Sequence, residues 1–286
     1  MPNLRDIRRH IRSVESIAKV TGAMEAVAIA KNHRFRSRAQ ESLPFARASW
    51  QILTHLAAAS NPEISESVFF SGYDHAHRMG MLLIAGDRGM AGGYNRRAVQ
   101  TAVEYIETQD LSASILVVGK EGRDRMSAEG YEAEGFYPLA DREITLENTT
   151  QMTSALIGGY QEGRFQRVVI VYTPFEPGRE SVPRTRQLLP IRPAETAASH
   201  QYIFEPPAEQ MLESLLSQVL RFQIYQALLA SLTAEHASRA LAMGQATQNG
   251  KDLIERLTLE YNKARQESIT KELMDIVGGA TTLYNE

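Results

Sequence analysis

The chain contains no cysteine. That excludes disulfides, cysteine-ligated zinc, iron–sulfur clusters and a thiol nucleophile. No run approaches the roughly 18 consecutive apolar residues that a membrane-spanning helix requires, and mean hydropathy is −0.30. No membrane span is expected. The segment from Met1 to Arg12 is charged and has no apolar stretch, so no secretory leader is expected there. The expected compartment is the cytosol, or the cytosolic face of something. Proline is absent after Pro207, which leaves 79 residues without the strongest helix breaker. The first 60 residues hold only Pro2, Pro44 and Gly22 as breakers. Both ends therefore read as helical, and turns concentrate in the middle.

What is present is average for a folded chain of one large or two ordinary domains: 286 residues, 43 % hydrophobic and 23 % charged. The net charge of −3 hides an asymmetry. Residues 1–50 carry ten Lys/Arg against four acids, a net of +6, and the remainder carries −9. The N-terminal stretch is expected either to be a solvated helix face or to meet an acidic partner. Arg34, Arg36, Arg38 and Arg47 lack the interleaved aromatics of a nucleic-acid site beyond Phe35 and Phe45, so an acidic protein surface is the preferred partner.

Apolar residues at Leu4, Ile7, Ile11, Val14, Ile17, Val20, Met24 and Val27 predict a helical seam with a stammer. Pro44 is expected to kink or locally break that helix before it resumes to about residue 59. The C-terminal stretch predicts a helix over about 208–284. Its seam runs Met243, Thr247, Gly250, Ile254, Leu257, Tyr261, Ala264 and, after one slip, Ile269, Leu273, Ile276, Ala280, Leu283. At about 1.5 Å per residue such a helix is roughly 115 Å long, too long for a small domain's own core. It needs a partner helix, and the N-terminal one is the candidate. Seams of Ala, Thr and Gly bury little area, so a larger partner could enclose the coil.

Between the helices, Met79–Ala85, Ile115–Val118 and Arg167–Tyr172 read as buried strands, and Gln187–Ile191 as a proline-containing edge strand. Helical stretches near 94–108, 120–129 and 146–162 alternate with them. The expected architecture is an α/β class: a long antiparallel coiled coil of N- and C-terminal helices (1–60 and 208–286) with an inserted Rossmann-like α/β domain at 77–195.

The strand-to-helix turn Gly86–Asn95 could cradle phosphate on backbone N–H groups. Its spacing matches neither nucleotide fingerprint, and Gly119-Lys120-Glu121 offers no acid to hold a ribose at the end of the second strand. The preferred reading is structural: the glycines give positive φ and close packing, and Asp87 and Arg88 cap or pair locally. His75 and His77 are two apart without a carboxylate cluster and read as a polar loop, not a metal site. There is no nucleophile elbow. On the C-terminal helix, Arg265, Gln266 and Thr270 fall within one and a half turns and could offer a fork of donors to a surrounding protein. Neither catalytic, cofactor nor metal residues are expected.

The run Leu257–Leu273 (LTLEYNKARQESITKEL), followed by Ile276-Val277-Gly278-Gly279-Ala280, resembles the C-terminal signature of F-type ATP synthase gamma subunits. Asp87–Asn95 (DRGMAGGYN) is similar to that family's D-R-G-L-C-G-G-x-N loop, and Ile7–Val14 with Lys19–Glu25 to its opening helix. Departures are Gly22 and Ala26 in the opening helix and Ala91 for the loop cysteine. Without cysteine, the thiol regulation of the plastid form is excluded. The resemblance implies a bacterial-type, non-catalytic central-stalk rotor that couples ion flow to ATP synthesis and hydrolysis. It implies alpha, beta and epsilon subunits and a membrane c-ring as partners, peripheral attachment at the cytoplasmic side of the cell membrane, no nucleic acid and no cofactor. It also implies beta-subunit contacts at Met24, Arg239, Arg265, Gln266 and Thr270, and ring contacts at Tyr202 and Glu205. A coiled-coil scaffold without ATPase partners and a Rossmann-like nucleotide-binding protein are the alternatives.

Overall fold

A computed structural model describes residues 4–58, 67–73, 77–139, 144–192 and 208–284. The chain divides into two compact units: Met1–Ala28 with Ala240–Glu286, and Ile29–Arg239. Two helices run through both units, α1 (Leu4–Ala58) and, at the other end, α6 (Ala208–Tyr284). Helix α1 continues through Pro44 without the expected break. A proline inside a helix removes one N–H bond; on either side of it α1 is held from α6, Gln226 donating to the Ala39 carbonyl and Gln223 to that of Ala46. Pro44 itself is exposed.

In the first unit the two helical segments run antiparallel. Thr21 Oγ1 lies 2.8 Å from Thr247 Oγ1, the Glu25 carboxylate lies against Gly244, and Ala18 against Gly250. The stripe of α1 that turns inward is Ile7, Ile11, Val14, Ala18, Thr21, Glu25 and Ala28, stepped 4, 3, 4, 3, 4, 3. This corrects the expected seam. Ile17, Val20 and Val27 are each more than half exposed, and the stammer disappears. The reason lies in the partner: opposite Ala18 and Thr21 the other helix presents Gly250 and Thr247, and small residues on both sides allow the backbones to approach. The C-terminal seam follows the expected positions from Met243 to Ala264. Ile269, Leu273 and Ile276, expected to continue it, are exposed. In the antiparallel register the start of α1 is reached near Ala264, and no described residue covers the helix beyond.

The second unit is built on a five-stranded sheet. In chain order its elements are a one-turn helix α2 (Val68–Ser71), β1 (Arg78–Ile84), α3 (Tyr94–Glu107), β2 (Ser112–Val118), α4 (Lys120–Ala128), β3 (Ala133–Tyr137), α5 (Thr150–Gln161), β4 (Arg167–Tyr172) and β5 (Arg184–Leu189). The spatial order is β3-β2-β1-β4-β5. Strands β1 to β4 are parallel, and β5 adds antiparallel at the edge. Both faces are covered, which explains the continuous apolar runs of β1, β2 and β4. Met79, Met81, Leu83, Val117 and Val169 pack on α3 and α4 through Ala98, Ala102 and Met126. Leu82, Ile84 and Ile170 pack on α5 and on the segments of α1 and α6 in this unit, through Leu156, Tyr160, Leu53, Leu220 and Ile224. Those two segments are also antiparallel: Asn32 donates to the Thr233 carbonyl at 2.7 Å, and Ser42 donates to Gln226 Oε1 at 2.6 Å. Strand β3 was not expected from sequence.

Candidate functional site

Two regions carry the residues singled out by sequence. The first is the Gly86–Asn95 turn with the α6 segment beneath it, inside the second unit. Asn95, at the start of α3, accepts from Gly86 N at 2.8 Å through Oδ1 and donates to the Arg88 carbonyl at 3.2 Å. Asp87 Oδ1 accepts from Lys120 N, the first amide of α4, at 2.8 Å. The backbone donors a phosphate would use at Gly86 and Lys120 are therefore already bonded to side chains. Glycine is required here for two reasons. Gly92 sits at φ 56°, and a Cβ on Gly86 would lie 2.7 Å from Glu235 Oε1. The Glu235 carboxylate lies against Gly86 as well, so side chains tie the turn to α3, α4 and α6 as a structural joint does.

The joint closes on α6. Arg239 donates to Glu235 at 2.5 Å and to the carbonyls of Arg88 and Gly89 at 3.1 and 3.4 Å. Its other terminal nitrogen lies 3.2 Å from His236 Nδ1. Ser238 donates to the Ala91 carbonyl at 2.8 Å, and the Thr173 amide donates to Ser231 Oγ at 3.1 Å. Burial pushes the Glu235 carboxyl upward, while the Arg239 guanidinium pulls it down. The Tyr94 phenol is buried beside them, and burial, reinforced by Glu235, holds it far above the usual tyrosine range. Sequence reasoning singled out Arg239 but missed Glu235. An acid four residues before an arginine on a helix is a common surface pair, and only the Gly86–Asn95 turn placed over it makes it a buried one.

The second region is the C-terminal part of α6 in the first unit. Arg265, Gln266 and Thr270 are exposed and off the seam, with no intrachain partner among the described residues. Ile269, Leu273, Met274 and Ile276 are exposed beside them. Met24, on the other helix of this unit, is half-buried. Tyr202, Glu205 and His75 lie outside the described residues; His77 is described and directly precedes β1. Among the described residues no group of histidines and carboxylates could hold a metal ion. No helix among them is long and apolar enough to cross a membrane.

A two-helix antiparallel coil in one unit, and in the other a sheet of parallel strands with an antiparallel edge, define the class: an α/β protein with an antiparallel coil of its terminal helices and an inserted Rossmann-like unit. The family model described as ATP synthase matches residues 3–283. An ATP synthase gamma chain of Pelotomaculum thermopropionicum is 35 % identical over 99 % of this chain and all of its own length. One of Dehalococcoides mccartyi is 37 % identical over 99 % of this chain and all of its own. The fold is shared with a chain of the Euglena gracilis mitochondrial ATP synthase OSCP/F1/c-ring structure, with TM-score 0.71 and 17 % identity over 98 % of this chain and 94 % of that one. A chain of the Tetrahymena thermophila mitochondrial ATP synthase central stalk/c-ring structure gives TM-score 0.64 at 20 % identity, over 79 % of this chain and 99 % of that one. The chain belongs to the ATP synthase gamma chain family.

Proposed function

We propose that the chain is the central-stalk rotor of an F-type ATP synthase. It turns within a ring of alpha and beta subunits and couples ion flow through a membrane c-ring to ATP synthesis or hydrolysis. On its own it is not catalytic. It attaches peripherally, at the cytoplasmic side of the membrane, and also meets an epsilon subunit.

The observation that carries this is the uncovered C-terminal part of α6. Arg265, Gln266 and Thr270 stand exposed among Ile269, Leu273, Met274 and Ile276. Enclosing one such apolar side chain contributes about 1.5–3 kcal/mol, so several of them on a single helix call for an enclosing protein. Arg265 and Gln266 would donate to acceptors on beta-subunit loops, the charge-assisted bond of Arg265 contributing about 1.5–3 kcal/mol and the neutral one of Gln266 about 0.5–1.5 kcal/mol. Thr270 and Met24 would lie at the same interface, and Tyr202 and Glu205 would face the ring. Arg239 acts differently in this account. Its guanidinium is committed to Glu235 and to the Gly86–Asn95 turn, so it positions the turn and α6, and any effect on beta subunits is indirect.

Co-purification tests the proposal. The chain, tagged and expressed in its own cells, should bring down alpha and beta subunits in a 3:3:1 complex that hydrolyses ATP, while the purified chain alone should hydrolyse none. Recovery of the chain free of both subunits would refute it.

A further inference from the structure

Within the second unit a cleft of about 540 Å³ opens between α1, α6 and the segment from β4 to β5. Three arginines line it, Arg36 and Arg47 from α1 and Arg186 from β5, and no aspartate or glutamate does. Elsewhere this unit pairs several of its arginines with carboxylates: Arg97 with Glu180, Arg125 with Glu121, Arg184 with Glu176, Arg239 with Glu235. Among the described residues none of the three cleft arginines has such a partner. The cleft is thus a concentrated, unneutralised positive charge on a chain whose net charge is −3.

Two of the three arginines are placed rather than loose. The Arg186 guanidinium lies 4.5 Å over the Trp50 ring and donates to Gln223 Oε1 at 2.9 Å. Gln223 is itself fixed, donating to the Ala46 carbonyl at 2.7 Å. The Arg36 guanidinium lies 5.7 Å over Phe175. Burial works against the charge on Arg186, and a half-buried cation without a counter-ion is costly. Guanidinium forks suit phosphate oxygens, and Leu43, Tyr172 and Phe175 give the cleft apolar walls. The volume falls in the range of small-molecule sites, about 300–1,000 Å³.

We propose that this cleft binds a small organic phosphate, its phosphates held by Arg36, Arg47 and Arg186 and its planar body against the apolar walls. The site is separate from the Gly86–Asn95 turn and does not depend on the rotor assignment. Trp50 is the only tryptophan in the chain, so its fluorescence reports on this cleft alone. Titrating the full-length chain with ADP should give a saturable change in Trp50 emission, and calorimetry a stoichiometry of one. Pyrophosphate and adenosine, each carrying half of the recognised chemistry, should bind at least about tenfold more weakly. Arg47→Gln changes an exposed residue and leaves the fold intact; it should weaken ADP binding by about tenfold or more. Arg125→Gln, on α4 outside the cleft, should change nothing. Absence of saturable binding by both methods would overturn the proposal. So would ADP binding that Arg36→Gln with Arg47→Gln leaves unaltered, or pyrophosphate binding as tight as that of ADP.

Discussion

Arg239 Nη2 lies 2.5 Å from Glu235 Oε1, one turn earlier on the same helix, with the two side chains 10 % and 7 % exposed. A surface i,i+4 pair contributes about 0.3–0.5 kcal/mol. Breaking a buried one by removing a partner costs about 3–5 kcal/mol, because the remaining charge is left uncompensated. Here the loss is compounded by the Arg88 and Gly89 carbonyls, which Arg239 also serves. Arg239→Ala should therefore destabilise the chain by about 3–5 kcal/mol at neutral pH, measured by urea unfolding. A loss under 1 kcal/mol would mean that the pair is solvated in solution.

The same pair sets a pH dependence. Burial is the dominant influence on Glu235 and raises its folded pKa above the ordinary 4.5, while Arg239 opposes the shift. A carboxyl raised in the folded state contributes stability that is fully present below the unfolded value and is lost as pH rises through the folded one. Removing Arg239 takes away the opposing influence and raises the folded value further. The deficit of Arg239→Ala should thus shrink as pH falls toward 4.5, and Arg239→Ala with Glu235→Gln should show no such recovery. Unfolding curves of the two variants from pH 8 down to pH 5 separate them; parallel profiles would exclude Glu235 as the titrating group.

Gly22 offers a gain. A methyl there would meet Thr247 Cγ2 at 3.8 Å, an ordinary contact, and alanine is better than glycine inside a helix by about 0.8–1 kcal/mol. Gly22→Ala should raise the stability of the coil by up to about 1 kcal/mol, read as retained helicity on heating. Gly86→Ala should do the reverse, since its Cβ would strike the Glu235 carboxylate. Destabilisation by Gly22→Ala would show that the two helices approach more closely there than Thr247 allows.

The two long helices and four of the strands were legible because their signals are local: the proline-free C-terminal stretch, the short apolar runs of β1, β2 and β4, and the edge strand expected at Gln187–Ile191, which overlaps β5. Strand β3 was not, because Ala133–Tyr137 (AEGFY) is an edge strand with only partly buried side chains and has no apolar run to announce it. The seam of α1 was misplaced for a related reason. Counting apolar residues selects Ile17 and Val20, whereas close packing against Thr247 and Gly250 selects Ala18 and Thr21. The exposed donors on α6 could be picked out from the motif, but Glu235 could not. Its role depends on a turn about 150 residues away in sequence, and no spacing within the helix encodes that.

Arg265→Ala with Gln266→Ala should damage assembly and spare the fold. Both side chains are exposed and off the seam, and alanine is the best helix former. Circular dichroism of the free variant should match the parent. ATP hydrolysis by the reconstituted complex should fall about tenfold or more, the loss expected for one charge-assisted hydrogen bond. A damaged fold with normal hydrolysis would assign the two residues to the coil itself.

Rotation is the most direct measurement of the central claim. The absence of cysteine makes Ser127→Cys, on exposed α4 sequence, the one thiol of this chain and so its attachment point for a bead in a complex whose other subunits are made cysteine-free. With the alpha–beta ring fixed to a surface, addition of ATP should turn the bead in one direction with three stops per revolution, one for each catalytic site. A complex that hydrolyses ATP at the normal rate while the bead on this subunit stays still would contradict the account.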